Sequence, residues 1–254
     1  MPLKWNPATV VRKTIWAPGL FTIRVHAPGV LPFEPGQFLQ VGFPFPEKHI
    51  HRPYSVASPH SDYLDFFIVL VESGEVTPHF WKVKVGDQVD VSEKGAGSFT
   101  LSHAPESRDI WLMATGTGIA PYIAMLRDGD IWKKYQQVVL VHGVRFPADL
   151  AYQLELEELQ HRFEGRFSYV GVASRMPAKM EGHSNRILSG RITDCFTSLA
   201  LEQETGIAIT PQYSTVMLCG NPAMLDEMEQ LLSHRGLNRH RPKNPGQVVV
   251  ERYW

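Results

Sequence analysis

Up to about residue 101 the apolar positions fall in short runs rich in β-branched and aromatic residues and broken by Gly and Pro: "VVRKTIW", "LFTIRVHA", "GQFLQVGF", "YSVAS", "LDFFIVLV" and "DQVDVSE". In "LFTIRVHA", Phe21, Ile23 and Val25 alternate with Thr22, Arg24 and His26, the period of a strand with one buried and one wet face. Six such runs at this spacing predict a small antiparallel six-stranded β-barrel. The polar, proline-bearing stretch "SHAPESRD" (102–109) then interrupts the pattern as a linker would, dividing the chain into a domain over 1–103 and another over 104–254.

Beyond the linker, "DIWLMAT", "QVVLVHG" and "TVMLCG" are unbroken apolar runs of the kind buried in parallel sheets, with helical periodicity between and after them. Tyr152, Leu156, Leu159 and Phe163 recur at helical spacing after Asp149, which reads as an N-cap. Another helix starts at Asn221 with Pro222 as its first residue and stacks Met224, Leu225, Met228, Leu231 and Leu232 on one face before Gly236. The charge-rich "LELEEL" (154–159) reads as a solvent-facing helix surface. The fold class is therefore a β-barrel followed by a doubly wound α/β domain with a parallel sheet.

Composition narrows the function. A chain of 254 residues with 43% hydrophobic and 20% charged content suits two packed domains and excludes disorder. With 25 basic and 26 acidic residues there is no overall field to mark a nucleic-acid or membrane-surface binder. The start, "MPLKWNPATVV", has no apolar run of signal-peptide length, and no segment approaches about eighteen apolar residues, so the expectation is a soluble cytoplasmic protein. Two cysteines, Cys195 and Cys219, support neither a disulfide framework nor a zinc or iron–sulfur site, and redox chemistry then requires an organic cofactor. His49 and His51 share a strand face but lack a matched third ligand, so no metal site is expected.

Four stretches and a set of three arginines carry candidate chemistry. "TGTGIAP" (115–121) is a glycine-rich strand-to-helix turn, either a plain turn or one whose helix N-terminus receives a nucleotide's oxygens; Pro121 stands where the dinucleotide fingerprint has a third glycine. Arg145, Arg175 and Arg191 follow successive strands, either as solvated side chains or as a set converging on one phosphate. Cys219 in "MLCGNP" reads as a small buried hydrophobe or as a compact group against a reacting ring. The closing "QVVVERYW" ends on two aromatics, which pack on the core or cover something flat. In "HRPYSVAS" (51–58), strand alternation sends Arg52 and Tyr54 to one face and Ser55 to the other, unless a bulge or a strand end brings all three to one planar ligand.

Together "RPYS", "PGQF" (35–38), "GEVTPHF" (74–80), "GTGIAP" and "CGNP" resemble, in order and over essentially the whole chain, the ferredoxin–NADP+ reductase family, in particular its bacterial ferredoxin/flavodoxin group whose chains end in Tyr-Trp. The resemblance implies two cofactors, FAD and NADP(H). On FAD it places Arg52 at the pyrophosphate, with Pro53 beside it, Tyr54 against the isoalloxazine, and Ser55 near flavin N5. Glu75, Val76 and Thr77 supply the pyrophosphate turn, Thr117 assists, Tyr253 stacks on the other flavin face and Trp254 covers the adenine. Ser55, Cys219 and Glu251 match the family's catalytic trio, with Glu251 relaying a proton through Ser55. Val144, Arg145, Ser174, Arg175 and Arg191 match its NADP contacts, whose paired guanidinium groups favour a 2′-phosphate. "MPAKMEGHSNRIL" is longer than in that group, so Arg186 stands as a substitute for Arg191.

The implied activity is electron passage between NADPH and ferredoxin or flavodoxin, met transiently and electrostatically by a monomer. Rival readings are a free-flavin or siderophore reductase on the same frame and an electron-transfer subunit of a larger complex; the iron–sulfur cysteines of related subunits are absent from this chain.

Overall fold

The early apolar runs form β1 (Trp5–Ala17), β2 (Leu20–His26), β3 (Phe38–Pro44), β4 (His49–Ser55), β5 (Tyr63–Val69) and β6 (Gln88–Ser92). They lie in the order β4-β3-β6-β1-β2-β5 with every pairing antiparallel. A bridge between Val56, just past β4, and Phe66 of β5 joins the two edges and closes the sheet into a barrel. The long strand β1 bends at register shifts between Val10 and Arg12 and between Ile15 and Ala17, as bulged strands at barrel corners do. This computed structural model describes residues 3–45, 48–176 and 187–252, and the chain divides into two compact units, 1–102 with 120–129, and 103–119 with 130–254.

The expected alternation holds in β2 for Phe21, Ile23 and Val25, all fully buried. Thr22 departs from it: it is buried, its Oγ1 accepting a hydrogen bond from Trp16 Nε1 at 2.9 Å, so an indole rather than water satisfies the hydroxyl. A short helix, α1 (Thr77–Lys82), lies between β5 and β6.

The next helix, α2 (Ala120–Asp128), follows the glycine-rich turn in sequence yet belongs to the barrel unit. Its Tyr122 packs against Phe99 at 5.8 Å, and Arg127 donates to Ala57 O at 2.7 Å and to Asp65 Oδ2 at 2.8 Å. Chain order places these residues in the second domain, but what they bury is barrel surface.

In the second unit β7 (Asp109–Thr115), β8 (Gln137–Val144), β9 (Phe167–Ala173), β10 (Ile187–Ser189), β11 (Ser214–Gly220) and β12 (Val248–Arg252) form a wholly parallel sheet in the order β10-β9-β8-β7-β11-β12. Its helices are α3 (Ile131–Lys134), α4 (Gln153–Arg162), α5 (Ile192–Thr197), α6 (Ala200–Thr205) and α7 (Pro222–His234). The chain leaves β7 towards β8 on one side and returns at β11 on the other, so the carboxyl end of β7 is the topological switch point where such sheets bind ligands.

Asn221 caps α7 as expected, its Oδ1 accepting from the N–H groups of Ala223 and Met224 at 2.9 and 3.4 Å. Asp149 does not cap α4. Its carboxylate accepts the Phe146 N–H at 3.0 Å within a tight 146–149 turn, and α4 begins after Tyr152, which takes a left-handed conformation. Both Tyr152 and Leu156 are buried, Leu159 and Phe163 half-buried, and Leu154 is 78% exposed, as the charge-rich face predicts.

Candidate functional site

In the first unit the pairing of β3 with β4 runs unbroken from Pro44↔His49 to Phe38↔Ser55. No bulge intervenes. The strand end carries the change of direction: Ser55 is the last residue of β4, and Val56 crosses to β5. Arg52 and Pro53 are exposed, Tyr54 is half-buried on the barrel core with its ring edge-on to Phe80 at 5.6 Å, and Ser55 is buried. Burial pushes the Tyr54 phenol well above its ordinary pKa, so it stays a neutral hydrogen-bond donor.

The loop leading into α1 is closed by Thr77, whose Oγ1 accepts the Val71 N–H at 2.9 Å and donates to Val71 O at 3.1 Å. The Thr77 hydroxyl is thus engaged within its own loop. Among the described residues the backbone N–H groups of Glu75, Val76 and Thr77 donate to nothing, and Pro78 has none to donate. Those donors, with the Arg52 guanidinium, match the needs of a diphosphate.

Arg52 Nη2 meets Glu75 Oε2 at 3.0 Å, and Lys48 Nζ meets Glu75 Oε1 at 3.1 Å. Hydrogen bonds from Lys48 and then Arg52 hold the Glu75 carboxyl below its usual range.

Sequence reasoning missed the support behind this loop. Lys13 of β1 donates to the carbonyls of Phe80, Trp81 and Val83 at 3.4, 2.5 and 3.2 Å, capping the C-terminal end of α1, and burial lowers its pKa. A lone lysine in "VVRKTIW" was its only signal. His49 stacks on Trp5 at 3.9 Å and pairs with Asp90 at 2.8 Å, while His51 bonds Gln40 at 2.9 Å. Among the described residues no cluster of three or more His, Cys, Asp or Glu could hold a metal.

In the second unit the glycine-rich turn sits at the switch point. Gly116 takes φ +53°, opening a 3-10 turn over Gly116–Ile119. A Cβ on Gly118 would lie 2.6 Å from the carbonyl oxygen of Cys219, so only glycine lets the turn close on the end of β11. Thr115 Oγ1 accepts the Asn221 N–H at 2.7 Å, tying the ends of β7 and β11, and Thr117 is half-buried beside it. From β8, His142 Nε2 reaches Gly116 O at 2.9 Å.

Cys219 is fully buried, and its Sγ lies 3.9 Å from Glu251 Oε2, the two being register partners of β11 and β12. Glu251 is half-buried, and Arg252 is clamped to α7 through Asp226 and Glu229 at 2.5 and 2.9 Å. The remaining assigned residues Tyr253, Trp254 and Arg186 lie outside the described residues.

The arginines follow three adjacent strands: Arg145 after β8, Arg175 after β9, Arg191 after β10, and all are exposed. Backbone bonds from Arg175 N to Arg145 O at 2.8 Å and from Ser174 N to Val144 O at 3.1 Å hold the first two loops side by side. Arg175 lies 5.7 Å over the ring of Phe146, an exposed aromatic the sequence reading passed over. Arg191 opens α5, its N–H bonded to Asp194 at 3.0 Å.

Comparison with known proteins bears on the family and the fold. Residues 9–99 match the family described as the oxidoreductase FAD-binding domain, and residues 112–230 the oxidoreductase NAD-binding domain. The chain is 37% identical over 252 residues to the flavodoxin/ferredoxin–NADP reductase of Escherichia coli strain K12, covering 98% of this chain and 99% of that protein. It is 32% identical over 244 residues to the ferredoxin–NADP reductase of Azotobacter vinelandii, covering 93% of each. A crystal structure of a ferredoxin NADP+ reductase from Neisseria gonorrhoeae with bound FAD and NADP superposes with a TM-score of 0.91 at 29% identity over the whole of both chains.

Proposed function

This chain belongs to the flavodoxin/ferredoxin–NADP reductase family, and from that premise we propose how its own residues serve the reaction. It is an FAD-dependent oxidoreductase that passes electrons between NADPH and ferredoxin or flavodoxin. FAD, when bound, would supply a two-electron acceptor for hydride and a one-electron donor for the carrier. The observation that carries the assignment of the flavin site is the strand-end placement of Tyr54 and Ser55 beside Arg52 and the free N–H groups of Glu75, Val76 and Thr77. On this reading those groups and Arg52 hold the pyrophosphate, Pro53 and Tyr54 form the flavin platform, and Thr77 keeps its loop closed. Thr117 shapes the nucleotide turn, and Tyr253 and Trp254, which follow β12 in the sequence, are the residues assigned to cover the flavin and the adenine.

Ser55 holds a hydroxyl near flavin N5, while Cys219 and Glu251, paired in their own sheet, form the polar group on the nucleotide side. Ser55→Ala is expected to slow flavin reduction by about 10²-fold, read by stopped-flow bleaching with NADPH; an unchanged rate removes Ser55 from the chemistry. Val144, Arg145, Ser174, Arg175 and Arg191 hold the adenosine phosphates. The carrier encounter is transient and electrostatic, by a monomer. Among the described residues no helix is long and apolar enough to cross a membrane.

Stopped-flow reduction by NADPH and by NADH, followed by reoxidation with ferredoxin and with flavodoxin, tests the whole reading. Bleaching by NADPH and rapid return of colour with either carrier is expected. A chain that holds no FAD, or whose FAD NADPH leaves oxidised, refutes it.

Glu75 adds a quantitative consequence. Its carboxylate shares Arg52 and Lys48 with the diphosphate assigned to the same place, and like charges there oppose each other. Glu75→Gln is expected to tighten FAD by about threefold, modest because the site is solvated, with the gain shrinking as salt is raised. Titration of the apoprotein with FAD at two ionic strengths measures it.

A further inference from the structure

We infer that His142 is a positioning residue for the pyridine-nucleotide turn: from β8 its ring holds the Gly116 carbonyl so that the 116–119 turn keeps the shape that receives NADPH. The inference rests on the reading above for the identity of the ligand, and on the following geometry for the role.

His142 lies in the middle of the parallel sheet, register partner of Ala114 in β7 and wholly inaccessible to solvent. Its strand neighbours Leu140 and Val141 are the apolar residues such a strand calls for. An imidazole is costly there: among the described residues its Nδ1 is buried with no hydrogen-bond partner, and burial lowers its pKa to about 4, against a smaller opposing pull from the bond to Gly116. The ring is therefore neutral at physiological pH. With Gly116 O as acceptor the proton sits on Nε2, leaving Nδ1 as the unpaired acceptor.

That single bond falls where β7 stops being a strand. Gly116 takes a left-handed conformation, which turns the chain out of the sheet, and the imidazole takes up its carbonyl at 2.9 Å. From the other side Thr115 Oγ1 accepts the Asn221 N–H, and Gly118 packs on the Cys219 carbonyl with no room for a side chain. The turn at the switch point is thus fixed by one side chain from neighbouring β8, by Thr115 of its own strand bonded to the Asn221 N–H, and by one close backbone approach. The Thr115 contact and the Gly118 approach pin it to β11 and α7; His142 alone among these reaches it from β8. A fully buried strand residue with one polar atom satisfied by the turn and the other by nothing is explained by the turn, since an aliphatic side chain would serve the core better.

The test compares His142→Leu, which fills the space without a donor, with His142→Gln, whose amide can still donate to Gly116 O. Steady-state kinetics with an artificial acceptor, FAD content and thermal melting are measured on each holoenzyme. Leu is expected to raise KM for NADPH about tenfold, the worth of one buried hydrogen bond, with kcat within about twofold and FAD retained; Gln is expected to recover most of the KM. A wild-type KM in the Leu variant, or a Gln variant as impaired in KM as Leu while both hold FAD, overturns the inference.

Should Leu fail to fold, the wild-type protein labelled with ¹⁵N-histidine decides. An Nε2–H tautomer whose ring signal moves on adding NADP+ supports the role, and an Nδ1–H tautomer or a signal indifferent to NADP+ removes it. Absence of any reduction of the wild type by NADPH would instead refute the functional reading, so the two failures are told apart.

Discussion

Asp65→Ala is expected to lower the melting temperature by about 6–12 °C, the equivalent of roughly 3 kcal/mol in a chain of this size. Asp65 is 3% exposed on β5 and takes three charged hydrogen bonds, from Arg24 Nε and Nη2 at 2.7 and 2.8 Å and from Arg127 Nη1 at 2.8 Å. Its backbone N–H also donates to Ser58 Oγ at 3.1 Å. Removing the carboxylate leaves two guanidinium groups facing one another across the vacated space. Their side chains are 40% and 23% exposed, so water recovers part of the loss, which is why the lower end of the range for broken buried pairs applies. Asp65→Asn, keeping the shape and one acceptor, is expected to cost about half as much. Melting followed by release of flavin fluorescence measures both, and a D65A protein melting within about 2 °C of wild type would show that the cluster contributes nothing.

The second large effect concerns nucleotide choice. Arg145→Ala combined with Arg175→Ala is expected to raise KM for NADPH by about 10²-fold while moving KM for NADH by less than about threefold, since charge-assisted hydrogen bonds to a 2′-phosphate are worth some 1.5–3 kcal/mol each and NADH has none to receive them. The two side chains leave adjacent loops joined by the Arg175 N–H to Arg145 O bond, so they act on one region rather than two. Both are exposed, which places the expectation nearer the smaller value per bond. Parallel kinetics with the two coenzymes check it, and equal losses for both would mean that the pair serves the shared diphosphate instead.

Much of this molecule is written in its apolar periodicity. Alternation in β2 and unbroken runs in β7, β8 and β11 announce a half-wet barrel and a sheet covered on both faces, and the structure has both. The Asn221–Pro222 start of α7 was equally plain because a cap is a local event. What stayed hidden depends on distant neighbours. Residues 120–126 of α2 are all buried, so the helix has no polar face to show which surface it joins. Lys13 and His142 are single polar letters in apolar runs, whose partners lie across the fold. Asp149 offered a plausible cap four residues before α4, and a tighter turn claimed its carboxylate first. For the site, the order of the short motifs identified the family, while the bond between Glu75 and Arg52 is visible only once β4 and the loop before α1 are folded together.

The discontinuous barrel unit bears on any attempt to dissect this protein. A fragment cut at the polar stretch after residue 102 would carry all six barrel strands but lack α2, and with it Tyr122 against Phe99, the Met125 methyl beside Gly36 and the Arg127 partner of Asp65. It would present raw apolar surface and an ion cluster short of one member, the recipe for an aggregating product. A gene fusion that returns residues 120–129 to the fragment through a glycine–serine tether would restore the missing wall, which makes this ten-residue piece the practical criterion for a separable flavin module.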